Sequence, residues 1–246
     1  MNSGNNSNTA LLERDKNQQE KSVEVPQQCR GYLLCKRIFD FVSSLCVSII
    51  LLIPMMFIAV IIMQKDPGNP FYIQERVGKN GKVLHMVKFR SMRKGADHLE
   101  DTLTPEQLER YKKEYKLDDD PRLIGYYKAG DGKKCFGAFL RRTSLDELPQ
   151  IVWNILINGD MSVVGPRPIL PDELQRNYTS EEQKLLLSVK PGLTGYWQAY
   201  ARNNVGYVDH RRQDMELYYA QNASFWLDLR IIFATVGAVL LKNGAK

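Results

Sequence analysis

Residues Phe41 to Met63 read FVSSLCVSIILLIPMMFIAVIIM, an uncharged run with a proline near its centre. The run exceeds the roughly 18 apolar residues that mark a membrane segment. Pro54 has no amide to donate and its ring clashes with the preceding turn, so a helix kinks or breaks there. From Phe41 to Pro54 a helix rises only about 20 Å, short of a hydrocarbon core of about 30 Å. Arg30, Lys36 and Arg37 precede the run, and Lys65, Arg76, Lys79, Lys82, Lys88 and Arg90 follow it. Because positive flanks favour the cytoplasmic side, both ends want the same side. A re-entrant helix turning near Pro54 satisfies both; a kinked span and a buried soluble helix are the alternatives. Asp40 is expected to pair with Lys36 or Arg37 at the interface.

The rest of the composition is that of a folded protein. The 246 residues are 43% hydrophobic and 25% charged, enough for one domain with a core plus appendages. A net charge of +6 and a pI near 9.0 favour anionic partners. Cys29, Cys35, Cys46 and Cys135 show no C-x-x-C spacing, which argues against a disulfide framework or zinc site and for a reducing compartment. Residues 1–28 are rich in Asn, Gln, Ser, Glu and Lys, and read as a disordered tail rather than a signal peptide.

Downstream, Phe71 to Arg76 and Val83 to Arg90 predict two strands joined through Gly78-Lys79-Asn80-Gly81, since Asn-Gly favours a hairpin. Thr104-Pro105-Glu106 opens a charged helix to about Leu117, and Gly125 to Phe136 reads as an exposed loop or hairpin. A helix is expected from about Asp146 to Leu156, and a short strand, Met161 to Val164, delivers Gly165-Pro166-Arg167-Pro168. Pro171 to Val189 predicts one amphipathic helix and Lys190 to Gly195 a loop. Ser224 to Leu241 predicts a terminal helix whose Trp226 and Arg230 suit a membrane interface.

The chemistry concentrates in Thr143-Ser144-Leu145-Asp146-Glu147-Leu148-Pro149-Gln150. Ser144 to Glu147 fits a capping box, but that register puts Pro149 where an amide is needed. A slightly later start places Asp146 and Glu147 at the positive end of a helix, beside Arg141 and Arg142, where Asp146 stays ionised as a nucleophile must. One carboxylate can attack phosphorus while its neighbour coordinates a divalent cation. Cations for a diphosphate are plentiful: Lys88, Arg90, Arg93, Arg122, Arg141, Arg142, Arg167, Arg202, Arg211 and Arg212. Arg167 stands out because flanking prolines fix its backbone. His85, His98 and His210 share no zinc-binding spacing, and P-loop, G-x-G-x-x-G and G-x-S-x-G patterns are absent.

From Lys36 onward the chain resembles the small monotopic bacterial phosphoglycosyl transferases, the bacterial sugar transferase family. Lys36-Arg37-Ile38-Phe39-Asp40, Lys88-Phe89-Arg90-Ser91-Met92 and Asp120-Pro121-Arg122 carry the likeness, as do Leu140 to Gln150, Gly159 to Pro168, Lys190 to Gly195 and Arg202-Asn203. It departs at Ile53, where the family often has Ser, in a connection lengthened by Lys128 to Cys135, and at Tyr200-Ala201. The resemblance implies transfer of a sugar phosphate from a UDP-sugar to polyprenyl phosphate through a covalent intermediate on Asp146, with release of UMP. Glu147 is the implied magnesium ligand. Lys88, Arg90, Arg122, Arg141, Arg142, Arg167 and Arg202 are the expected substrate contacts.

The expected architecture is α+β and mainly helical, a monotopic membrane protein with a re-entrant N-terminal helix, a small β-hairpin and interfacial amphipathic helices. Its divisions are a tail (1–28), the membrane helix with its basic flank (29–66) and a catalytic domain on the cytoplasmic face of the inner membrane (67–246). Membrane lipids are expected partners and nucleic acid is not; a homodimer is compatible with the sequence. A membrane-anchored anion-binding protein and a polyprenyl-diphosphate hydrolase are the competing functions. The transferred sugar and its glycan pathway are not legible in the residues.

Overall fold

A computed structural model describes residues 25–114, 117, 119–126, 134–201 and 210–240. Most of the tail, the Lys128 segment and Arg202 lie outside the described residues. The first element is α1 (Arg30–Lys65), assigned as one helix with Pro54 inside it. Only 11% of its most apolar 18-residue window is buried, so it is not the core helix of a soluble domain. Ile49 and Ile50, about one turn before the proline, are 68% and 72% exposed.

Both ends of α1 are fastened to the same body. At the start, Lys36 Nζ reaches Asp228 Oδ2 at 2.7 Å and Tyr32 Oη donates to the same oxygen at 2.9 Å. Arg37 Nη1 donates to the Ile155 carbonyl at 2.9 Å. Asp40 is buried and accepts from Ser162 Oγ at 3.0 Å and the Val163 amide at 2.9 Å. The expected pairing of Asp40 with Lys36 or Arg37 is therefore not made as an ion pair, because Asp228, a buried carboxylate 192 residues along the chain, takes the lysine. In the second half, Met55 and Ile62 join Phe89, Ile124 and Leu140 in an apolar cluster that also holds Val152 and Trp153.

These anchors fit a bent helix better than a straight one. A straight one would carry Asp66 about 44 Å from Arg37 at ~1.5 Å per residue. Yet Arg37 grips Ile155, the neighbouring Asn154 accepts from the Val87 amide at 3.0 Å, and Arg90, one residue past the strand that holds Val87, grips Asp66. Only a collinear string of fully stretched side chains would cover that distance. Pro54, which leaves the Ile50 carbonyl without its intrahelical donor, supplies the soft point.

The body opens with β1 (Phe71–Val77) and β2 (Val83–Phe89), antiparallel in the register Phe71↔Phe89 to Val77↔Val83. Asn80 and Gly81 take the left-handed conformation (φ 58° and 74°), as their pairing predicts. Next come α2 (Leu99–Thr102) and α3 (Pro105–Glu114), the latter capped by Thr104, whose Oγ1 accepts from the Gln107 amide at 3.3 Å. Then α4 (Phe136–Arg142) leads to a 3₁₀ turn (Leu145–Glu147) and a π-helix (Ile151–Ile157). The expected α-helix from Asp146 to Leu156 is thus divided in two. Pro149 cannot donate, and the chain resumes in a wider register, closed by the Asn158 amide on the Trp153 carbonyl at 2.9 Å.

β3 (Ser162–Val164) pairs in parallel with β4 (Gly192–Thr194), a strand inside the segment expected to be loop. Gly165 and Gly192 pass so close that neither has room for a Cβ. Between them, the single helix expected over Pro171 to Val189 is two, α5 (Pro171–Asn177) and α6 (Ser180–Leu186). Thr179 starts the second with a capping box to Glu182. The chain ends with α7 (Tyr196–Tyr200), α8 (Arg211–Asn222) and α9 (Phe225–Leu240). Val164, Leu185, Tyr219 and Ile231 form the core beneath them.

The Lys36–Asp228 pair, with side chains 14% and 10% exposed, predicts a large penalty for breaking one side. Asp228→Ala strands a buried ammonium and should cost about 3–5 kcal/mol, measured by chemical denaturation in detergent. The double change Lys36→Met with Asp228→Leu should recover most of that loss.

Candidate active site

Asp146 and Glu147 occupy the 3₁₀ turn that follows α4. Ser144 leads into it with φ 56° and ψ 19°, a left-handed conformation uncommon for a residue with a Cβ. Leu145 and Leu148 bracket the dyad and pack into the cluster that contains Met55 and Ile62 of α1. The acids are thereby pinned to the second half of the apolar helix. From the hairpin, Lys88 Nζ reaches Glu147 Oε1 at 3.2 Å.

The electrostatics differ from the expectation. The acids lie in a three-residue 3₁₀ turn ahead of helical residues that start at Pro149 and pass into the π-helix, so the dipole they meet is that of a short, irregular helix. Burial pushes the Asp146 carboxyl up to about 6, and the neighbouring Glu147 charge adds to the rise. Lys88 and Arg141 act in the opposite direction. Asp146 is still mostly ionised at neutral pH, while its basicity exceeds that of an ordinary aspartate.

Of the expected contacts, Lys88 and Arg141 act directly on the dyad, and Arg142 is exposed at the end of α4. Arg90 is buried, bonded to Asp66 and to the Asn69 carbonyl at 2.9 Å. Arg122 forms a bidentate pair with Asp120 at 2.8 and 2.7 Å beneath the Tyr111 ring. Both therefore brace the fold. Arg167 lies half-buried between buried prolines, and its amide donates to Glu216 Oε2 at 3.0 Å. Glu216 is itself buried, with its carboxyl pushed up to about 7, mainly by burial. Beside it Arg212 pairs with Glu173 and lies over Trp197 at 5.6 Å.

Sequence reasoning missed Glu216 and Asp228. The signal for the first was periodic: Arg212, Glu216 and Ala220 fall four residues apart on the buried face of α8, where charge is unexpected.

Among the described residues no group of three His, Cys, Asp or Glu side chains forms a ready metal cage. The donor set at the dyad is oxygen-only, and Glu147 has a side chain 39% exposed. One or two carboxylates completed by substrate phosphates and water is how magnesium is commonly held, so these residues fit that ion.

Comparison with known proteins identifies the family. The family model described as bacterial sugar transferase matches residues 31–242. A UDP-galactose-lipid carrier transferase of Erwinia amylovora is 39% identical over 213 residues, 85% of this chain and 41% of that protein. The undecaprenyl-phosphate galactose phosphotransferase of Salmonella typhimurium is 39% identical over 219 residues, 88% of this chain and 42% of that protein. The chain thus spans about two fifths of these longer relatives. The exopolysaccharide production protein ExoY of Rhizobium meliloti is 40% identical over 216 residues, covering 86% of this chain and 88% of that protein.

The charge balance sets the titration of the site. A carboxyl-carbon NMR titration should place the Asp146 midpoint near 6. Glu147→Gln removes a like charge and should lower that midpoint, whereas Lys88→Met removes an opposing charge and should raise it. With a family model matched over residues 31–242 and a relative 40% identical over 86% of its length, the chain belongs to the bacterial sugar transferase family.

Proposed function

We propose that this protein transfers a sugar phosphate from a UDP-sugar to a polyprenyl phosphate, using Asp146 as the nucleophile. The observation that carries the reading is the seat of Asp146. It is half-buried, raised in basicity, opposed by Lys88 and Arg141, and fixed by Leu145 and Leu148 to the apolar helix. A water-soluble donor and a lipid acceptor can both reach a carboxylate placed there.

In the first step an Asp146 oxygen forms a bond to the β-phosphorus of the donor. The bond from that phosphorus to the bridging oxygen breaks, and the oxygen departs with UMP. The product is an aspartyl phosphosugar. In the second step a polyprenyl phosphate oxygen attacks the same phosphorus, and the electron pair returns to the Asp146 carboxylate. A polyprenyl-diphosphate sugar leaves. Splitting the transfer lets the two substrates use one site in turn. Glu147 and donor phosphate oxygens would hold magnesium, which when bound neutralises charge on the diphosphate. Lys88 keeps Glu147 oriented, and Arg141 offers an exposed cation beside the dyad. Arg167, braced by Glu216, is the rigid contact for a phosphate oxygen.

The same reading places α1 in the cytoplasmic leaflet of the inner membrane, entering and returning about Pro54. Its exposed midpoint and doubly anchored ends support this, as do Trp226 and Phe233, 72% and 73% exposed on α9. The names of the Erwinia and Salmonella relatives make UDP-galactose the first donor to try, and the Rhizobium protein suggests exopolysaccharide assembly as the pathway.

Radiolabelled UDP-galactose with magnesium and no lipid should label the protein and release UMP. Asp146→Asn should abolish the label and reduce turnover by about 10⁴-fold or more. UMP release without labelled protein would favour direct hydrolysis, and neither signal across a panel of UDP-sugars would leave only a binding protein. Single cysteines placed before and after Pro54, near residues 36 and 65 of a cysteine-free chain, should both react from the cytoplasmic side only; opposite sidedness would refute the re-entrant placement.

A further inference from the structure

A second basic site lies at the root of α1, apart from the dyad. A cavity of about 190 Å³ is bordered by Tyr32, Lys36, Arg37, Asp40, Lys79 and Lys190. Neither Asp146, Glu147 nor Lys88 lines it. Its cations come from three parts of the fold: α1, the hairpin turn and the segment before β4. Two of them are already committed. Lys36 pairs with Asp228, and Arg37 spends one nitrogen on the Ile155 carbonyl.

The other two are not. Neither Lys79 nor Lys190 forms a salt bridge among the described residues. Both are half-buried. Among the lining side chains four cations face one carboxylate, Asp40, whose Oδ1 is occupied by Ser162 and Val163. Burial and the Arg37 and Lys79 charges push the Lys190 ammonium below its ordinary value, against the opposing pull of Asp40 and Asp160. An excess of like charge held together costs free energy, which a multivalent anion in their midst would recover. The cavity adjoins the point where the exposed apolar face of α1 begins, with Leu33 also on its wall. Anions supplied at such a level are lipid head groups.

We propose that this cavity binds the phosphate of an anionic phospholipid, held by Lys79 and Lys190 with Arg37, as a site separate from the catalytic dyad. The occupied site ties the start of α1 to the hairpin turn and to the strand that supports the Arg167 loop. The inference rests on the membrane placement proposed above but not on the covalent chemistry, so its test uses the Asp146→Asn chain without donor.

That chain, in detergent micelles, is titrated with dihexanoyl phosphatidylglycerol, dihexanoyl phosphatidylcholine or inorganic phosphate, with melting temperature and native mass spectra as readouts. The phosphatidylglycerol should bind saturably and raise the melting temperature. Lys79→Ala with Lys190→Ala should raise the half-saturating concentration at least tenfold, and Lys79→Arg with Lys190→Arg should restore it. Equal responses to both lipids, or an unchanged response in the alanine variant, would overturn the proposal. Inorganic phosphate matching phosphatidylglycerol would assign the cavity to a free anion and overturn the lipid assignment. Vesicle flotation separates the two inferences. A chain that floats with phosphatidylglycerol vesicles but lacks the lysine-dependent preference keeps its membrane placement and loses this site.

Discussion

The structure depends on a carboxylate that is largely shut off from water. Asp228 is buried near the start of α9, yet it receives Lys36 and Tyr32 from α1 and the Tyr219 hydroxyl, at 2.6 Å, from α8. Helix α1 meets the consecutive helices α8 and α9, 192 residues away at the Lys36–Asp228 pair, on two oxygens. Burying a charge is expensive unless it is paired and fully hydrogen-bonded, and here both conditions hold. The arrangement favours one docking of the apolar helix over the many that a purely greasy interface would tolerate.

At the dyad the balance is struck differently. Asp146 stays partly desolvated, and neither Lys88 nor Arg141 cancels the rise in its basicity. The two cations that a reader would enlist first, Arg90 and Arg122, are consumed by Asp66 and Asp120. Their work is mechanical. Arg90 fixes the exit of α1 against β2, and Arg122 stiffens the segment before α4. What remains beside the acids is a sparse positive field, suited to a substrate that brings its own charge.

Much of this was legible in the residues. The apolar helix, the hairpin and the strand leading to Arg167 follow from hydrophobic runs and from the Asn80-Gly81 pair. The dyad was legible as adjacent acids, because adjacency needs no tertiary knowledge. The break between α5 and α6 was also written there, since Thr179 and Glu182 form a capping box inside what periodicity reads as one helix. The π-helix was not, because its wider register is a tertiary compromise: it buries Ile151, Asn154 and Ile155 while Asn154 clips the edge of β2. Nor was the role of Asp228. An acid near the start of an apolar terminal helix reads as a solvated cap until another element is seen to cover it.

Leu145 and Leu148 have a mechanical consequence. By seating the acids on Met55 and Ile62, they make the apolar helix a ruler. On the proposed placement, the depth to which that helix sinks sets the height of the nucleophile above the lipid head groups, with no flexible tether to absorb an error. A bilayer of different thickness would raise or lower the reacting oxygen bodily. Acceptors would then be sorted by where their phosphate rests along the bilayer normal as well as by the structure of their tails.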